Sequence, residues 1–452
     1  MRRLVTSDLL KWKDSRRRKP LIVRGARQVG KTWAVTDFGT TCFDALHTVD
    51  LERHRDWHRL FAGDLDARQI VAELEVVLGR RINAGADLLF FDEIQACPRA
   101  LVALRYFQEQ LPGLHVIAAG SLLEFALGEY AFPVGRVQFA TVFPMTFAEF
   151  LWATGDDVAA EVVSGPPCAQ PEVVHGHLLE RLRRYMFIGG MPEAVASYAS
   201  SNSLQEAFAV HDELAIAYRE DFGKYAGRAD KDCLDAVLAG VARGVGGQVK
   251  YSRLAVGFDN GAIKRAFDLL SRARVVRPVR ATSPAGVPLA ATASQKRFKA
   301  IMVDLGLLCR LCGLRADMEY ARPDLLAVFG GALAEQFVGQ ELLAAAGGER
   351  ELYYWAREER SSTAEVDYLI DGVARPVPIE VKAGPAGRLR SLHLLLGQYP
   401  GAAPGVVLSE AGFSVLAEQR LAFLPLYFAA GAAGKGLDAA IAAAGMPDRP
   451  RS

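Results

Sequence analysis

The segment GARQVGKT at residues 25–32 has the residue types and spacing to hold a phosphate. Gly25 and Gly30 let the backbone turn tightly enough for the N–H groups of Ala26, Arg27, Gln28 and Val29 to converge on one anion. A helix that starts at the end of such a loop aims its positive end at the same anion. In the pattern G-x-x-x-x-G-K-[ST], which this segment fits throughout, Lys31 reaches the β- and γ-phosphates of a nucleoside triphosphate and the Thr32 hydroxyl coordinates Mg²⁺. The alternative is a glycine-rich turn carrying a solvated lysine. The phosphate reading needs a buried strand before the loop and a helix after it, and the apolar run PLIVRG and the segment KTWAVTDFG supply both.

The second candidate is LLFFDEIQ at 88–95. Four apolar residues predict a buried strand, and Asp92 emerges at its carboxyl end, where open α/β sheets bind ligands. There Asp92 can hold Mg²⁺ through its water shell, and Glu93 beside it can polarise an attacking water as general base. Two carboxylates at the end of a strand would mean little alone; Lys31 and Thr32 give them a purpose.

The third constellation is Glu335, Asp367, Glu380 and Lys382. AEVDYLID and PIEVK read as strands joined by a short glycine-containing turn, and a hairpin would bring Asp367 near Glu380. Glu380 and Lys382 stand two apart in IEVK, so they share a face. Two carboxylates and a lysine on one face can bind Mg²⁺ and activate a water for attack on a phosphodiester, with Glu335 from the preceding helix as a further ligand. A plain ion-pair network is the competing reading.

These residues require a scaffold, and the chain supplies an α/β one. With 452 residues it exceeds a single core, so about two to four domains are expected. Short apolar runs alternate with helical segments from PLIVRG to RVQFATVFPMTFAEFL, which predicts a parallel sheet with helices on both faces. Residues near 151–215 read as helices broken at SGPPCAQP and followed by a loop at IGGMPEAV. YSRLAVGFDNGAIKRAFDLLSRARVVRPVR reads helix, turn, helix, strand. GALAEQFVGQELLAA reads as an amphipathic helix, then come the three strands ELYYWAREE, AEVDYLID and VPIEVKAG. The Ala/Gly-rich tail from about Ala429 has little patterning, and its last residues are expected to be mobile.

A net charge of +1 argues neither for nor against nucleic acid. The N-terminal MRRLVTSDLLKWKDSRRRKP has no apolar stretch after its basic residues, no run of about 18 apolar residues occurs, and the cysteines are scattered. No signal peptide, no membrane contact and a cytoplasmic, reducing location are therefore expected. Cys309 and Cys312 could be half of a zinc site, but no partner pair completes it, and small apolar residues of a buried helix explain them. Arg16, Arg17, Arg18 and Lys19 read as a solvated face.

With both nucleotide motifs in view, the chain resembles the AAA-type branch of P-loop ATPases, in which a catalytic glutamate follows the metal aspartate. The resemblance implies ATP and Mg²⁺ as ligands. It implies a polar γ-phosphate sensor at the end of the strand between the motif strands, matched by Ser121 in VIAAGS. It also implies a completing arginine, frequently from a neighbouring subunit and hence a homo-oligomer. Arg136 in PVGRVQF is the candidate, with a surface arginine ahead of a strand as the alternative. The C-terminal set resembles the active site of restriction-endonuclease-like, PD-(D/E)XK, nucleases. Their fold also persists as an inactive binding module. Together, across roughly residues 18–430, the parts resemble a prokaryotic family of AAA-type ATPases with a nuclease-like C-terminal domain, akin to archaeal-type ATPases.

The expected division is an ATPase domain with helical extension at 1–215, a winged-helix-like linker at 216–325 and a nuclease-like domain at 326–452. Lys264, Arg265, Arg272, Arg274, Arg277 and Arg280 would let the linker contact DNA phosphates. Packing through Ala266, Leu269 and Leu270, with the charges solvated, is the other reading. The function this implies is an ATP-driven switch controlling a nuclease-like, DNA-binding module; the alternative is a regulatory ATPase whose C-terminal fold only binds a partner.

Overall fold

The computed structural model describes residues 1–121, 135–225, 231–315, 325–348, 350–357, 364–384 and 389–433. The tail from residue 434 onward, where mobility was expected, lies outside them. Contacts divide the chain into two compact units, Arg2–Phe143 with Arg272–Arg274, and Pro144–Ser271 with Val275 onward.

In the first unit, α1 (Val5–Lys13) precedes β1 (Leu21–Arg24), α2 (Lys31–Cys42), β2 (Leu46–Asp50), α3 (Ala67–Leu78), β3 (Leu88–Asp92), α4 (Pro98–Gln110), β4 (His115–Gly120) and β5 (Gln138–Thr141). The strands pair in parallel in the order β2-β3-β4-β1-β5. β3 and β4 are buried along their whole length, as apolar strands covered on both faces must be. Ile22, Phe91, Leu104 and Phe107 belong to one core between sheet and helices, where Phe91 meets Phe61 and Phe107 edge to face. α3 is capped by the Asp66 carboxylate, which accepts from the Arg68 and Gln69 N–H groups.

The second unit begins with α5 (Phe147–Ala153), α6 (Asp157–Ser164), α7 (Glu172–Ile188), α8 (Pro192–Ser201) and α9 (Leu204–Tyr225). Thr146 and Glu149 form a capping box at the start of α5. The expected loop IGGMPEAV is a packed joint: Gly190 donates to Asp304 Oδ2 at 2.6 Å, and its carbonyl accepts from Met145 N at 2.6 Å.

Next come α10 (Lys231–Arg243), α11 (Tyr251–Leu254), α12 (Asn260–Arg272), β6 (Val276–Ala281) and β7 (Phe298–Met302). The last two form an antiparallel hairpin, which gives the helix, helix, helix, hairpin order of a winged helix. α12 buries Ile263, Ala266, Phe267 and Leu270 and leaves Lys264, Arg265 and Arg272 exposed. Leu269, expected on the inner face, is only half-buried. Arg280 faces Glu351 at 3.7 Å.

After α13 (Leu305–Leu311) and α14 (Leu325–Ala345) come β8 (Tyr353–Ala356), β9 (Glu365–Asp371), β10 (Pro376–Val381), α15 (Arg390–Gln398), β11 (Gly405–Ser409), β12 (Ser414–Leu416) and β13 (Leu421–Pro425). Among the described residues the strands join in one mixed sheet of eight, β12-β13-β11-β10-β9-β8-β6-β7. The β6–β7 hairpin thus continues the C-terminal sheet, through two residue pairs between β6 and β8, so one sheet crosses the boundary expected at residue 325. α14 is not amphipathic: every residue from Leu333 to Leu343 is buried, including Glu335, Gln336, Gln340 and Glu341. Buried polar side chains must find partners. Gln336 exchanges hydrogen bonds with the Met302 backbone, and Glu341 accepts from Phe147 N at 2.9 Å.

Candidate functional site

The phosphate-loop residues meet at the carboxyl end of the first sheet. β1 ends at Arg24, the loop turns through Gln28 at φ +60° and Gly30 at φ +88°, and α2 begins at Lys31. A Cβ at Gly25 would run into the Val142 carbonyl oxygen, so only glycine fits where the loop passes β5. Ala26 and Val29 are buried and anchor the loop, while Arg27 is half-buried and Gln28 exposed. α2 starts from Gly30 with no side-chain cap. Its first N–H groups therefore stay available to an anion, unlike those of α3. Lys31 is buried and donates to the carbonyls of Ala26 at 2.8 Å and Gly25 at 3.3 Å.

Asp92 stands at the end of β3, buried, with the Thr32 hydroxyl and the Glu93 N–H (3.0 Å) as donors to its carboxylate. Burial pushes its pKa up to about 6; the Thr32 hydrogen bond opposes this, and the neighbouring carboxylates of Glu93 and Asp50 add to it. A hydroxyl and a carboxylate in mutual contact are hard oxygen donors of the kind Mg²⁺ takes, so these two residues fit the ion. Glu93 follows in the left-handed region at φ +47°, a costly conformation for a non-glycine residue, and its carboxylate accepts from Gln95.

Ser121 is buried and directly follows β4, the strand between β1 and β3. The register sets Gly120 opposite Arg24 and Ala118 opposite Phe91. Arg136 does not join this group. It precedes β5, and Gln138 pairs with Leu21 at the start of β1, so Arg136 lies at the opposite end of the sheet from the loop. There it is half-exposed and faces Glu109 at 3.3 Å.

Arg3 was not anticipated. Although near the N-terminus, it is 5% exposed and reaches the phosphate loop from behind, donating to the Val29 carbonyl at 3.0 Å and the Phe143 carbonyl at 2.7 Å. An arginine 26 positions away, beside Arg2, gives no sequence signal of such a contact.

The C-terminal constellation assembles in part as expected. β9 and β10 pair antiparallel with Tyr368 opposite Ile379, and Asp367 Oδ2 accepts from Val381 N at 2.8 Å. Lys382 Nζ lies 2.6 Å from Glu380 Oε1, while Glu380 Oε2 is buried without a hydrogen-bond partner. Glu335 is anchored nearby through its carbonyl, which accepts from the Tyr368 hydroxyl at 2.8 Å.

The expected metal role of Glu335, Asp367 and Glu380 does not match what surrounds them. The Lys299 ammonium, carried in from β7, lies 2.9 Å from Glu335 Oε1 and 3.7 Å from Asp367 Oδ1 and pairs with Glu365. Burial works to lower the pKa of this ammonium, but Glu335, Asp367 and Glu365 outweigh it and raise the pKa above its usual range. Burial raises the pKa of Glu335 and Glu380, and Asp367 adds to both effects. Among the described residues, no group of three or more His, Cys, Asp or Glu side chains is arranged to hold a metal ion. That applies equally to Cys309, buried, and Cys312, half-buried. The available signal for Lys299 was a single lysine inside the apolar run FKAIMV.

Comparison with known proteins agrees with the first unit. Residues 17–151 match the family model described as an AAA domain. Residues 179–318 and 330–428 match two models each described as a domain of unknown function, DUF8612 and DUF4143. No curated protein matches the chain. Among solved structures, a Walker-type ATPase of Pyrococcus abyssi is similar at 14% identity, with 68% of this chain and 94% of that one covered and a TM-score of 0.41. Drosophila ORC bound to DNA is similar at 11% identity, over 69% and 94%, with a TM-score of 0.26. RuvB T158V of Thermotoga maritima is similar at 14% identity, over 60% and 86%, with a TM-score of 0.27. The first unit is an AAA-type P-loop domain, and the described residues contain no helix long and apolar enough to cross a membrane.

Proposed function

We propose that the chain binds ATP–Mg²⁺ at Gly25–Thr32 and Asp92 and hydrolyses it with Glu93 as general base. The observation that carries this reading is the contact between the Thr32 hydroxyl and the Asp92 carboxylate, which joins the loop to the strand that follows it in function. Mg²⁺, when bound, neutralises charge on the phosphates. The backbone N–H groups of Ala26 to Gly30 and the start of α2 hold the phosphates, and Lys31 turns from the loop carbonyls to the β- and γ-oxygens. Glu93 accepts the proton of the attacking water, and Ser121 hydrogen-bonds the γ-phosphate from between the motif strands.

The nucleotide state then serves as a switch: a γ-phosphate held by the loop favours one arrangement of the chain, and hydrolysis releases it. Its output is the second unit. Two readings of that output follow from the sequence, a nuclease-like DNA-acting module and a partner-binding module without catalysis. Lys299 among the carboxylates favours the second. Exposed Lys264, Arg265 and Arg272 on α12 leave DNA as a candidate partner, bound through phosphates.

The test is ATP turnover and nucleotide binding by the native chain, Lys31→Ala and Glu93→Gln, with and without DNA at two salt concentrations. Lys31→Ala should lose binding. Glu93→Gln should keep binding and lose about 10²-fold or more in turnover. Normal hydrolysis by Glu93→Gln would remove the base assignment, and unchanged affinity in Lys31→Ala would remove the loop assignment. DNA binding that does not weaken as salt rises would exclude phosphate contacts by α12.

A further inference from the structure

We propose that Lys299 is the resident cation of the C-terminal carboxylate cluster and that it excludes a divalent metal ion from Glu335, Glu365 and Asp367. The inference uses no residue of the nucleotide site and stands apart from the ATPase reading.

Three carboxylates from two elements converge on one ammonium. Glu335 comes from α14, and Glu365 and Asp367 from β9. Lys299 Nζ lies 2.9 Å from Glu335 Oε1 and 3.7 Å from Asp367 Oδ1, and it pairs with Glu365. A divalent ion bound by these oxygens would have to stand about 2.0–2.6 Å from each, which is the place the ammonium holds. The oxygens that would ligate the metal are already taken by the ammonium, and two cations cannot stand in the same place. The pocket therefore takes one cation or the other.

Lys299 is also fixed in place. Its side chain is 2% exposed, and its ammonium lies 5.3 Å from the centre of the Tyr354 ring. Its backbone pairs with Val279 of β6 on one side and bridges Gln248 on the other. A surface lysine could swing away from an arriving metal; this one would require β7 to leave the edge of the sheet. Lys382 stays with Glu380, the neighbour on its face of β10, so Lys299 is the cation that these three carboxylates hold.

Of the two-carboxylate-and-lysine pattern, Asp367 is thus shared with a cation carried in by the β6–β7 hairpin. In this arrangement the cluster clamps β7 to α14 and β9, and metal-assisted attack on a phosphodiester is not available to it. Glu365, absent from the expected ligand set, is as much a part of the clamp as Glu335 and Asp367.

The experiment is Mn²⁺ binding followed by electron paramagnetic resonance of the free ion. It uses the full chain without nucleotide, with Asp92→Ala in every sample to remove the metal ligand near the phosphate loop. With Lys299 in place, no Mn²⁺ should bind in a manner that depends on Asp367. Adding Lys299→Ala should create one site per chain, at least about tenfold tighter than any background binding, and adding Asp367→Asn should abolish it. Circular dichroism and the melting transition establish that each variant is folded. A folded Lys299→Ala chain that binds no Mn²⁺ overturns the proposal. So does an Mn²⁺ ion bound with Lys299 intact and lost in Asp367→Asn. That second arm needs no substitution at 299, so it decides even where Lys299→Ala fails to fold.

Discussion

Asp92 offers a direct test because its role in binding and its effect on stability should oppose each other. Burial raises its pKa from the ordinary 3.8 to about 6. A folded-state pKa above the unfolded value means that the unfolded chain ionises first. The folded state therefore loses stability as pH rises from about 4 through 6, and the loss is complete above that. Two pH units correspond to about 3 kcal/mol at most. The Asn amide oxygen can still accept from the Thr32 hydroxyl and the Glu93 N–H, so Asp92→Asn removes the charge and keeps the contacts. Allowing for relaxation, the variant should be about 2 kcal/mol more stable than the native chain at pH 8, roughly 6 °C in the transition of a unit this size.

Calorimetry without nucleotide measures this on the transition that ATP raises, which identifies the first unit. The gain should shrink to about a third of its value at pH 4.5, between the two pKa values. Adding ATP with Mg²⁺ should reverse the order, because the native carboxylate gains a cation and the amide does not. A variant no more stable than native at pH 8, or a gain of the same size at pH 4.5, would refute the burial argument for Asp92.

Three further outcomes are expected. Glu93→Gly relieves the left-handed backbone at φ +47°, so the nucleotide-free chain should lose no stability and gain up to about 1 kcal/mol in urea unfolding while turnover disappears; a large destabilisation would show that the conformation carries no strain. Arg3→Ala removes two charge-assisted hydrogen bonds behind the phosphate loop, one to Val29 and one to Phe143, and should weaken ATP binding about tenfold in an equilibrium titration. Arg3→Lys should not restore it, since one ammonium does not reproduce the guanidinium fork; full affinity in Arg3→Ala would dismiss the positioning role. Arg136→Ala breaks a half-exposed pair with Glu109 and should change stability by less than about 0.5 kcal/mol and turnover by less than twofold. A large loss of turnover that grows with protein concentration would instead make Arg136 a residue of a neighbouring copy's site.

What the sequence made legible was local. GARQVGKT carries its whole pattern in one turn between a strand and a helix, and LLFFD is apolar until the carboxylate that matters, so each motif is legible at its own strand end, and the parallel order β3-β4-β1 brings Asp92 toward Thr32. The β9–β10 hairpin was legible for the same reason: its strands are contiguous, and the turn sets the register that puts Asp367 beside Val381. The α14 reading failed because periodicity reports how many faces are apolar, not how many are covered. This helix contacts β7, β10 and α13, which buries its polar positions too. Arg3 was illegible because its two acceptors are backbone carbonyls, which have no residue identity to read.

Lys299 shows why a motif of carboxylates cannot be read for its cation. Glu335 and Asp367 are the same residues whether the charge beside them is a metal or an ammonium, because carboxylate oxygens serve both. What distinguishes the cases is a side chain 36 positions before Glu335, on a hairpin that sequence reading assigned to another domain. That hairpin reaches the cluster because β6 pairs with β8 over Arg280–Tyr353 and Ala281–Tyr354 and because Gln336 of α14 holds the Met302 backbone of β7. The identity of the cation is thus a property of the sheet's strand order and of the packing of β7 on α14. A change that displaced β7 would alter the chemistry of three carboxylates, Glu335, Glu365 and Asp367, without touching any of them.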